Sequence, residues 1–219
     1  GLVQLKKFKK FNMLRNRNFK LHCNFFKRMS EQFIVPKIEK NVKTNFLAYP
    51  IILKNNIGFS RKEFQIYLEK CNIQTRPIFT GNTLRHPGFS NLISKRNKLN
   101  SFKNSDYIMK YGLLIGCHQG LSIKDINYIH TVIFNFKKKN LVNKIIKNIR
   151  SNILNHTYKA KSSHIGSCLS IVEILVVLYN KVLKKNDRFI LSKGHAALAL
   201  YCTLFEKKII SQKILDTFG

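Results

Sequence analysis

The pattern of apolar residues changes near residue 140, and this change constrains the fold more than any other feature of the sequence. Before it, strand-like segments alternate with segments of helical periodicity, which is typical of a small α+β domain. After it, apolar residues recur at helical spacing: Leu141, Ile145, Ile149 and Ile153. We place the boundary in the basic junction KKKNLVNK, residues 137–144. We therefore expect two domains, residues 1–136 and 145–219.

The first domain is predicted to begin with a long amphipathic helix over Leu2–Arg28, where Lys and Arg separate the apolar positions. A strand is predicted in NFLAYPIIL, in which Pro50 indicates an edge or a bend. Ser60 followed three residues later by Glu63 is a capping-box pattern. It predicts a second helix that ends near Asn72.

Two further strands are predicted in IQTRPIF and GLLIGC, separated by the long segment TGNTLRHPGFSNLISKRNKLNS. A loop of this length is often functional. A third helix is predicted to begin at Ser122, with Asp125 in its first turn, and to end near Lys137. In the second domain we expect a buried helix, a short strand at Arg188–Leu191 and a helix that begins at His195.

The chain is strongly basic: 40 Lys and Arg face 10 Asp and Glu, for a formal net charge of +30. Such a charge favours a polyanionic partner. The basic residues are spread along the chain rather than gathered in one stripe, which is typical of a compositional bias. A non-catalytic protein that binds nucleic acid or another polyanion is therefore the alternative interpretation, and not the preferred one.

Cysteine use and hydropathy indicate a cytoplasmic protein. The five cysteines are an odd number without a C-x-x-C pair, so we expect neither a disulfide framework nor a metal site. We expect no membrane span, because Glu173 interrupts the longest apolar run, Ile171–Tyr179, which is shorter than the roughly 20 residues required. The N-terminus shows no signal-type apolar segment.

Two histidines occupy positions suited to a phosphorylated ligand. His164 lies in SSHIGS, where small residues let the backbone approach a ligand closely. His195 lies where a predicted strand turns into a helix, and the free N–H groups of a helix N-terminus attract phosphate. Taken singly, each histidine is weak evidence, because a histidine near a helix start is most often a cap or a packed side chain.

Together, KSSHIGSCLSIVEILVVLY and NDRFILSKGHAALALY resemble the SGHxGG-S and DRFxLSxGHxxxALY motifs of the transketolase family, in the same order and spacing. The resemblance covers residues 141–219. It implies the first part of an α/β domain that binds thiamine diphosphate with Mg²⁺. It further implies that His164 is catalytic, acting on the hydroxyl and carbonyl groups of the sugar. By the same resemblance, His195, Gly194 and Ser192 lie against the cofactor diphosphate.

The sequence departs from the transketolase pattern in two ways. Ser163 and Ser167 stand where the family has glycine. The GDG…N motif, through which the family holds the metal and the diphosphate, does not occur before Gly219. We therefore expect residues 1–219 alone to be inactive.

The segments FLAYPIILKNNIGFSRKEFQIYLEKCNIQTRPIFTGNTLRHPGF and SDYIMKYGLLIGCHQGLSIKDINYI resemble a different family. They are similar to the C-terminal domain of DegT-type sugar-nucleotide aminotransferases, which have the aspartate-aminotransferase fold. The nearest group is the CDP-4-dehydro-6-deoxyglucose 3-dehydratases of lipopolysaccharide deoxysugar synthesis, which use pyridoxamine phosphate and an iron–sulfur cluster. The resemblance implies a small α+β domain that closes over pyridoxal or pyridoxamine phosphate. We assign no cysteine of this chain to iron.

This second resemblance implies that Arg76, Asn82 and Arg85 contact a nucleotide sugar. A guanidinium suits this role because its planar donors can bind a diphosphate at two points. Surface ion pairs are the alternative role for both arginines. His86 and His118 are expected to be structural residues of their loops.

The two resemblances predict a fold class that is α+β in the first domain and α/β in the second. They favour a joined pair of partial enzymes of deoxysugar metabolism, with a sugar phosphate or nucleotide sugar as substrate. The active unit is then a homo-oligomer or a complex with a complementary subunit. In a third interpretation, both pieces serve only as dimerisation or docking modules.

Overall fold

The computed structural model of the chain describes residues 1–42, 44–92 and 102–218. It divides into two compact units, Gly1–Lys137 (unit 1) and Lys138–Gly219 (unit 2). The last part of the long predicted loop, residues 93–101, lies outside the described residues.

Unit 1 combines helices with one four-stranded sheet. Its helices are α1 (Leu2–Lys27), α2 (Arg61–Lys70), α3 (Lys103–Tyr111) and the first part of α4 (Ile123–Lys159). Its strands are β1 (Phe33–Ile34), β2 (Ala48–Leu53), β3 (Thr75–Pro77) and β4 (Gly112–Gly116). Two short 3₁₀ turns, Thr83–Arg85 and Pro87–Leu92, follow β3. The predicted helices α1 and α2 are confirmed, whereas β1 and α3 were not predicted.

The sheet is antiparallel in the order β1-β2-β4-β3. Side chains alternate along β2, so that Tyr49, Ile51 and Leu53 are buried against the helices. Pro50 pairs with Leu114 of β4, while β1 pairs only with the last two residues of β2. At Pro50 the strand thus has a described partner on one side only, which a residue without an N–H tolerates.

One helix covers the region where the sequence predicted a helix end near Lys137 and a new helix from Leu141. This prediction was wrong, because α4 runs without interruption from Ile123 to Lys159. The basic junction contains no Pro or Gly, and its Lys, Leu, Val and Asn residues can all continue a helix. A change in which residues are buried therefore does not require a break in the backbone.

The regular secondary structure of unit 2 is all helical among its described residues. It contains the last part of α4, then α5 (Ile165–Leu169), α6 (Val172–Val177), a π-helical segment (Leu178–Val182), a 3₁₀ turn (Gly194–Ala196), α7 (Ala197–Glu206) and α8 (Gln212–Leu215). Ten residues form its core: Ile149, Ile153, Cys168, Val172, Leu175, Val176, Leu198, Ala199, Cys202 and Leu215.

The strand predicted at Arg188–Leu191 is not formed. These residues are irregular, and Ile190 is 88% exposed. A strand requires hydrogen bonds from a neighbouring strand, and residues 138–218 contain no other strand that could supply them.

One stretch, Ile165–Val182, is long and apolar enough to span a membrane by length and composition. No span was predicted there, because Glu173 interrupts the run Ile171–Tyr179. Of this stretch, 22% is buried inside unit 2, and a turn at Ser170–Ile171 separates α5 from α6. Its buried side chains include Cys168, Val172, Leu175 and Val176, which belong to the core of the unit.

Candidate ligand-binding sites

The two transketolase-like motifs of unit 2 lie side by side. His164 precedes the first turn of α5, and His195 lies in the 3₁₀ turn before α7. Their ring centroids are 4.3 Å apart, with an angle of 41° between the planes. The buried thiol of Cys168 donates to the carbonyl oxygen of His195 at 3.5 Å and so ties the turn to α5. We call His164 and His195 the histidine pair.

The histidine pair is open to a ligand. Both residues are exposed, and neither ring forms a hydrogen bond with a residue that the structure describes. A Cβ atom added at Gly166 or at Gly194 would meet no atom within 4 Å, so there is free space beside both motifs. Ser192 is also exposed, and its carbonyl oxygen accepts from the backbone N–H of Gly194.

The groups around the histidine pair suit an anion better than a metal. Lys193 is exposed beside His195, and its ammonium group lies 3.4 Å from the hydroxyl of Ser170. Imidazole, ammonium and backbone N–H donors can bind the oxygens of a diphosphate. Among the described residues, no group of three or more His, Cys, Asp or Glu could hold a metal ion. The residues present therefore fit the phosphate end of thiamine diphosphate but supply no Mg²⁺ site.

In unit 1, Asn82 and Arg85 converge on the carboxylate of Asp106, which was not predicted as a site residue. Arg85 donates to Asp106 at two points, Nε to Oδ1 at 2.9 Å and Nη2 to Oδ2 at 2.6 Å. Asn82, which is 4% exposed, donates to the same Oδ1 at 2.7 Å. The hydrogen bond from Arg85, with a second from Asn82, lowers the pKa of the Asp106 carboxyl to about 2. The scarcity of acidic residues in this chain was the signal that could have pointed to Asp106.

Arg76 has a different environment. It lies in β3, opposite Leu114 of β4, and its side chain is exposed. Its guanidinium forms no hydrogen bond or ion pair with any residue in the described part of the chain.

The remaining loop histidines bond within their own loops. His86 Nε2 lies 2.7 Å from the carbonyl oxygen of Thr80. His118 Nδ1 accepts from the backbone N–H of Gly120 at 3.2 Å. These bonds are consistent with the structural role expected for both residues.

The buried His22 and the partly buried His130 of unit 1 form a second pair of histidines that was not predicted. His22 Nε2 donates to the carbonyl oxygen of Gly116 at 3.1 Å, so its Nδ1 accepts from His130 Nε2 at 3.0 Å. Burial lowers the pKa of each of these two residues to about 4. The spacing could have revealed them, since His22 lies on the apolar stripe of α1 between Phe19 and Phe26.

The comparisons with known proteins divide along the same line as the sequence. Residues 1–134 match the model of the DegT/DnrJ/EryC1/StrS aminotransferase family. Residues 141–209 match the model of the transketolase thiamine diphosphate binding domain. Both resemblances inferred from the sequence are confirmed.

Three relatives illustrate the two matches. Lipopolysaccharide biosynthesis protein RfbH of Salmonella typhimurium is 30% identical over 129 residues, which are 59% of this chain and 29% of that protein. An apulose-4-phosphate transketolase subunit of Phocaeicola vulgatus is 40% identical over 79 residues, or 32% of this chain and 28% of that protein. The solved structure of Escherichia coli GDP-4-keto-6-deoxy-D-mannose-3-dehydratase with bound hydrated PLP is 27% identical at a TM-score of 0.51. That match covers 60% of this chain and 33% of the other. The chain thus spans about a third of the length of each of these relatives.

Proposed function

The chain belongs to the DegT/DnrJ/EryC1/StrS aminotransferase family through residues 1–134, and we propose that this part is the small domain of a nucleotide-sugar dehydratase or aminotransferase. The enzyme class depends on pyridoxal or pyridoxamine phosphate, which supplies the chemistry when bound. Within unit 1, Arg76, Asn82 and Arg85 lie on or next to the loop that follows β3. We assign these three residues to the binding of a nucleotide sugar.

Unit 2 is, in this proposal, the first part of a thiamine diphosphate domain of a transketolase that transfers two-carbon ketol units. Here His164 acts on the hydroxyl and carbonyl groups of the sugar. His195, with Gly194 and Ser192, binds the diphosphate of the cofactor. The close approach of the two exposed rings supports this assignment, because one ligand bound beside them could contact both.

The observation that carries the proposal is the succession of two enzyme families of carbohydrate chemistry in one chain. The names of the relatives refer to lipopolysaccharide biosynthesis, to a 3-dehydratase of a GDP-linked deoxysugar and to a sugar-phosphate transketolase. We propose that the chain acts in deoxysugar metabolism in the cytoplasm. It would work as a homo-oligomer or with a complementary subunit, since one relative of unit 2 is itself named as one subunit of a transketolase.

Calorimetry tests the cofactor assignment of unit 2. Residues 1–219 should not bind thiamine diphosphate tightly in the presence of Mg²⁺, because no metal-binding group occurs among the described residues. Once a second chain supplies the rest of a transketolase fold, binding should appear, and His195→Ala should weaken it. Lys213→Ala, which removes an exposed cation from α8, is the control and should leave binding unchanged. Tight binding by the 219 residues alone, or no effect of His195→Ala, would contradict the assignment.

Complementation tests the assignment of unit 1. A chain that carries the large domain of a related 3-dehydratase should regain consumption of its keto-deoxysugar substrate when mixed with the 219-residue chain. No restored turnover, with both chains shown to be folded, would favour the interpretation as a docking module.

Polyanion binding is the second candidate, and the net charge of +30 favours it. Binding by counterion release weakens steeply as salt rises from about 50 to 200 mM, by roughly 10³–10⁵ for a protein with six to ten phosphate contacts. We expect only weak, non-specific retention on duplex DNA at the higher salt. Tight binding that persists at physiological salt would favour the polyanion-binding function over the enzymatic one.

A further inference from the structure

We infer that the two arginines of the candidate nucleotide-sugar site have different tasks. Arg85, held by Asp106, is a positioning residue that fixes the loop, and Arg76 is the arginine that binds the diphosphate. This inference rests on the proposed function of unit 1, and it assigns a role to Asp106.

The first argument is that the Asp106 carboxylate already occupies one edge of the Arg85 guanidinium. The pair uses both Nε and Nη2, which is the two-point geometry that a phosphate would otherwise use. The negative charge of Asp106 also cancels much of the attraction of Arg85 for an anion. A diphosphate placed against Arg85 would lie next to this carboxylate and be repelled by it.

The second argument is that Asp106 connects the loop to a fixed element. Asp106 lies in α3, and Tyr107 of the same helix donates to the carbonyl oxygen of Leu53 at the end of β2. The buried Asn82 joins Asp106 from the loop side, and its Oδ1 accepts from the backbone N–H of Leu84 at 3.2 Å. One carboxylate therefore holds the backbone of the 3₁₀ turn as well as Arg85.

The loop also requires a glycine at the point where it meets α3. Gly81 has a φ of +61°, and a Cβ atom added there would lie 2.6 Å from Cβ of Met109. Close contact with α3 therefore excludes a side chain at this position. The loop is attached to α3 at two points, Gly81 on Met109 and Asn82 with Arg85 on Asp106.

Arg76 differs from Arg85 because its guanidinium is exposed and has no described acidic partner. Its neighbour in β3, Thr75, is buried and donates to Glu69 at 2.6 Å, which fixes the strand. The exposed guanidinium of Arg76 retains all five of its N–H donors for a ligand, with respect to the residues that the structure describes. Strand β3 thus presents an arginine that has no partner among the described residues, next to a loop held by its own ion pair.

Titration of the full chain with GDP tests this division, followed by NMR shifts of the amides of residues 75–89 and by calorimetry. Arg76→Ala should weaken GDP binding about tenfold, as expected for the loss of a two-point charged contact. Lys62→Ala, which removes an exposed cation of α2, is the charge-matched control and should change the affinity less than about twofold.

Asp106→Asn separates the two roles of Arg85 by the sign of its effect. If Arg85 is a positioning residue, this variant weakens GDP binding about two- to threefold and speeds amide hydrogen exchange in residues 80–89. If Arg85 binds the diphosphate directly, the same variant frees its guanidinium and tightens binding. Arg85→Lys keeps the charge but loses the two-point contact, so it should speed exchange in the loop as Asp106→Asn does.

Binding that tightens in Asp106→Asn and is unchanged in Arg76→Ala overturns the division of tasks while leaving the proposed function intact. Failure of the unaltered chain to bind GDP at millimolar concentration counts against the nucleotide-sugar function itself, and against Arg76 with it. In that case the exchange rates still decide the role of Asp106: unchanged exchange in both Asp106→Asn and Arg85→Lys overturns it.

Discussion

Unit 1 and unit 2 differ in whether their extended segments have strand partners for backbone hydrogen bonds. In unit 1, four strands that are distant in sequence pair with one another, and β2 and β4 lie at the centre of the sheet. In unit 2, the extended segment Arg188–Leu191 has no strand partner among the described residues, and Ile190 remains 88% exposed. The helices of unit 2 nevertheless bury a common apolar core, and the rings of the histidine pair lie in contact.

The difference shows which contacts each candidate site requires. The histidine pair depends on contacts local to one helical cluster, mainly that of Cys168 with the turn that carries His195. The loop with Arg85 depends on α3 and, through the bond from Tyr107 to Leu53, on the sheet. Substitutions that weaken the core of unit 1 should therefore also disturb the loop with Arg85. The geometry of the histidine pair should depend on the few residues that pack around Cys168.

The largest effect is expected from Phe64→Ala in the core of unit 1. Phe64 is fully buried in α2 and packs against Phe33, Phe59 and Phe136. The substitution should lower the free energy of unfolding by about 3–5 kcal/mol. Urea titration with amide hydrogen exchange of unit 1 peptides measures it. Ile66→Ala on the exposed side of the same helix is the control, and an equal loss in both variants would contradict the burial of Phe64.

A smaller loss is expected from Leu175→Ala in unit 2. Leu175 is 1% exposed and belongs to a core of ten residues within the described part of unit 2, whereas its neighbour Ile174 is 59% exposed. Leu175→Ala should destabilise the unit by about 3 kcal/mol, and Ile174→Ala by less than about 0.5 kcal/mol. Exchange of unit 2 peptides measures both. A large effect of Ile174→Ala would show that this side of α6 is covered in solution, and would contradict the difference in burial between Leu175 and Ile174.

Local signals in the sequence were enough to predict the helices α1 and α2 and the capping box, because each depends on residues a few positions apart. The approach of His164 to His195 is not local in this sense, since it depends on the packing of α5 with the turn before α7. The irregular conformation of Arg188–Leu191 could not be foreseen, since strand formation depends on partners elsewhere in the fold. The uninterrupted α4 was missed because a new apolar stripe was interpreted as a new helix.

Asp106 and the buried pair of His22 and His130 were missed for a different reason. Each depends on contacts between residues about 20 or more than 100 positions apart. Burial can be inferred from an apolar stripe, but the identity of a hydrogen-bond partner across the core cannot.

Acid should destabilise unit 1 through His22 and His130. The folded-state pKa of both His22 and His130 is about 4, below the usual 6.5, because burial disfavours the charged form. The contribution is complete above pH 6.5 and is lost as the pH falls from 6.5 towards 4, since the unfolded chain binds protons first. Between pH 7.5 and 5 we expect a loss of roughly 2–3 kcal/mol in the unfolding free energy of unit 1.

His130→Gln should remove part of this pH dependence by leaving one histidine that titrates. His118→Gln, at an exposed loop position, is the control and should keep the full slope. Unfolding curves of unit 1 peptides at pH 7.5, 6.5 and 5 provide the comparison. If stability is flat across this range, or if unit 2 loses stability equally, the buried pair is not the origin of the acid sensitivity.

The smallest loss of unfolding free energy is expected from removing the N-cap serines. The hydrogen bonds of these caps also differ between the units. Ser60 accepts from the backbone N–H of Glu63, whose carboxylate accepts from the backbone N–H of Ser60 at 2.7 Å. Ser60→Ala should therefore cost about 1 kcal/mol, with Ser60→Thr close to the unaltered chain. In unit 2, Ser211 makes only one such bond to α8, at 3.4 Å. Ser211→Ala should thus cost less than Ser60→Ala, and the reverse order in urea titrations would show that local capping does not follow the geometry of these two turns.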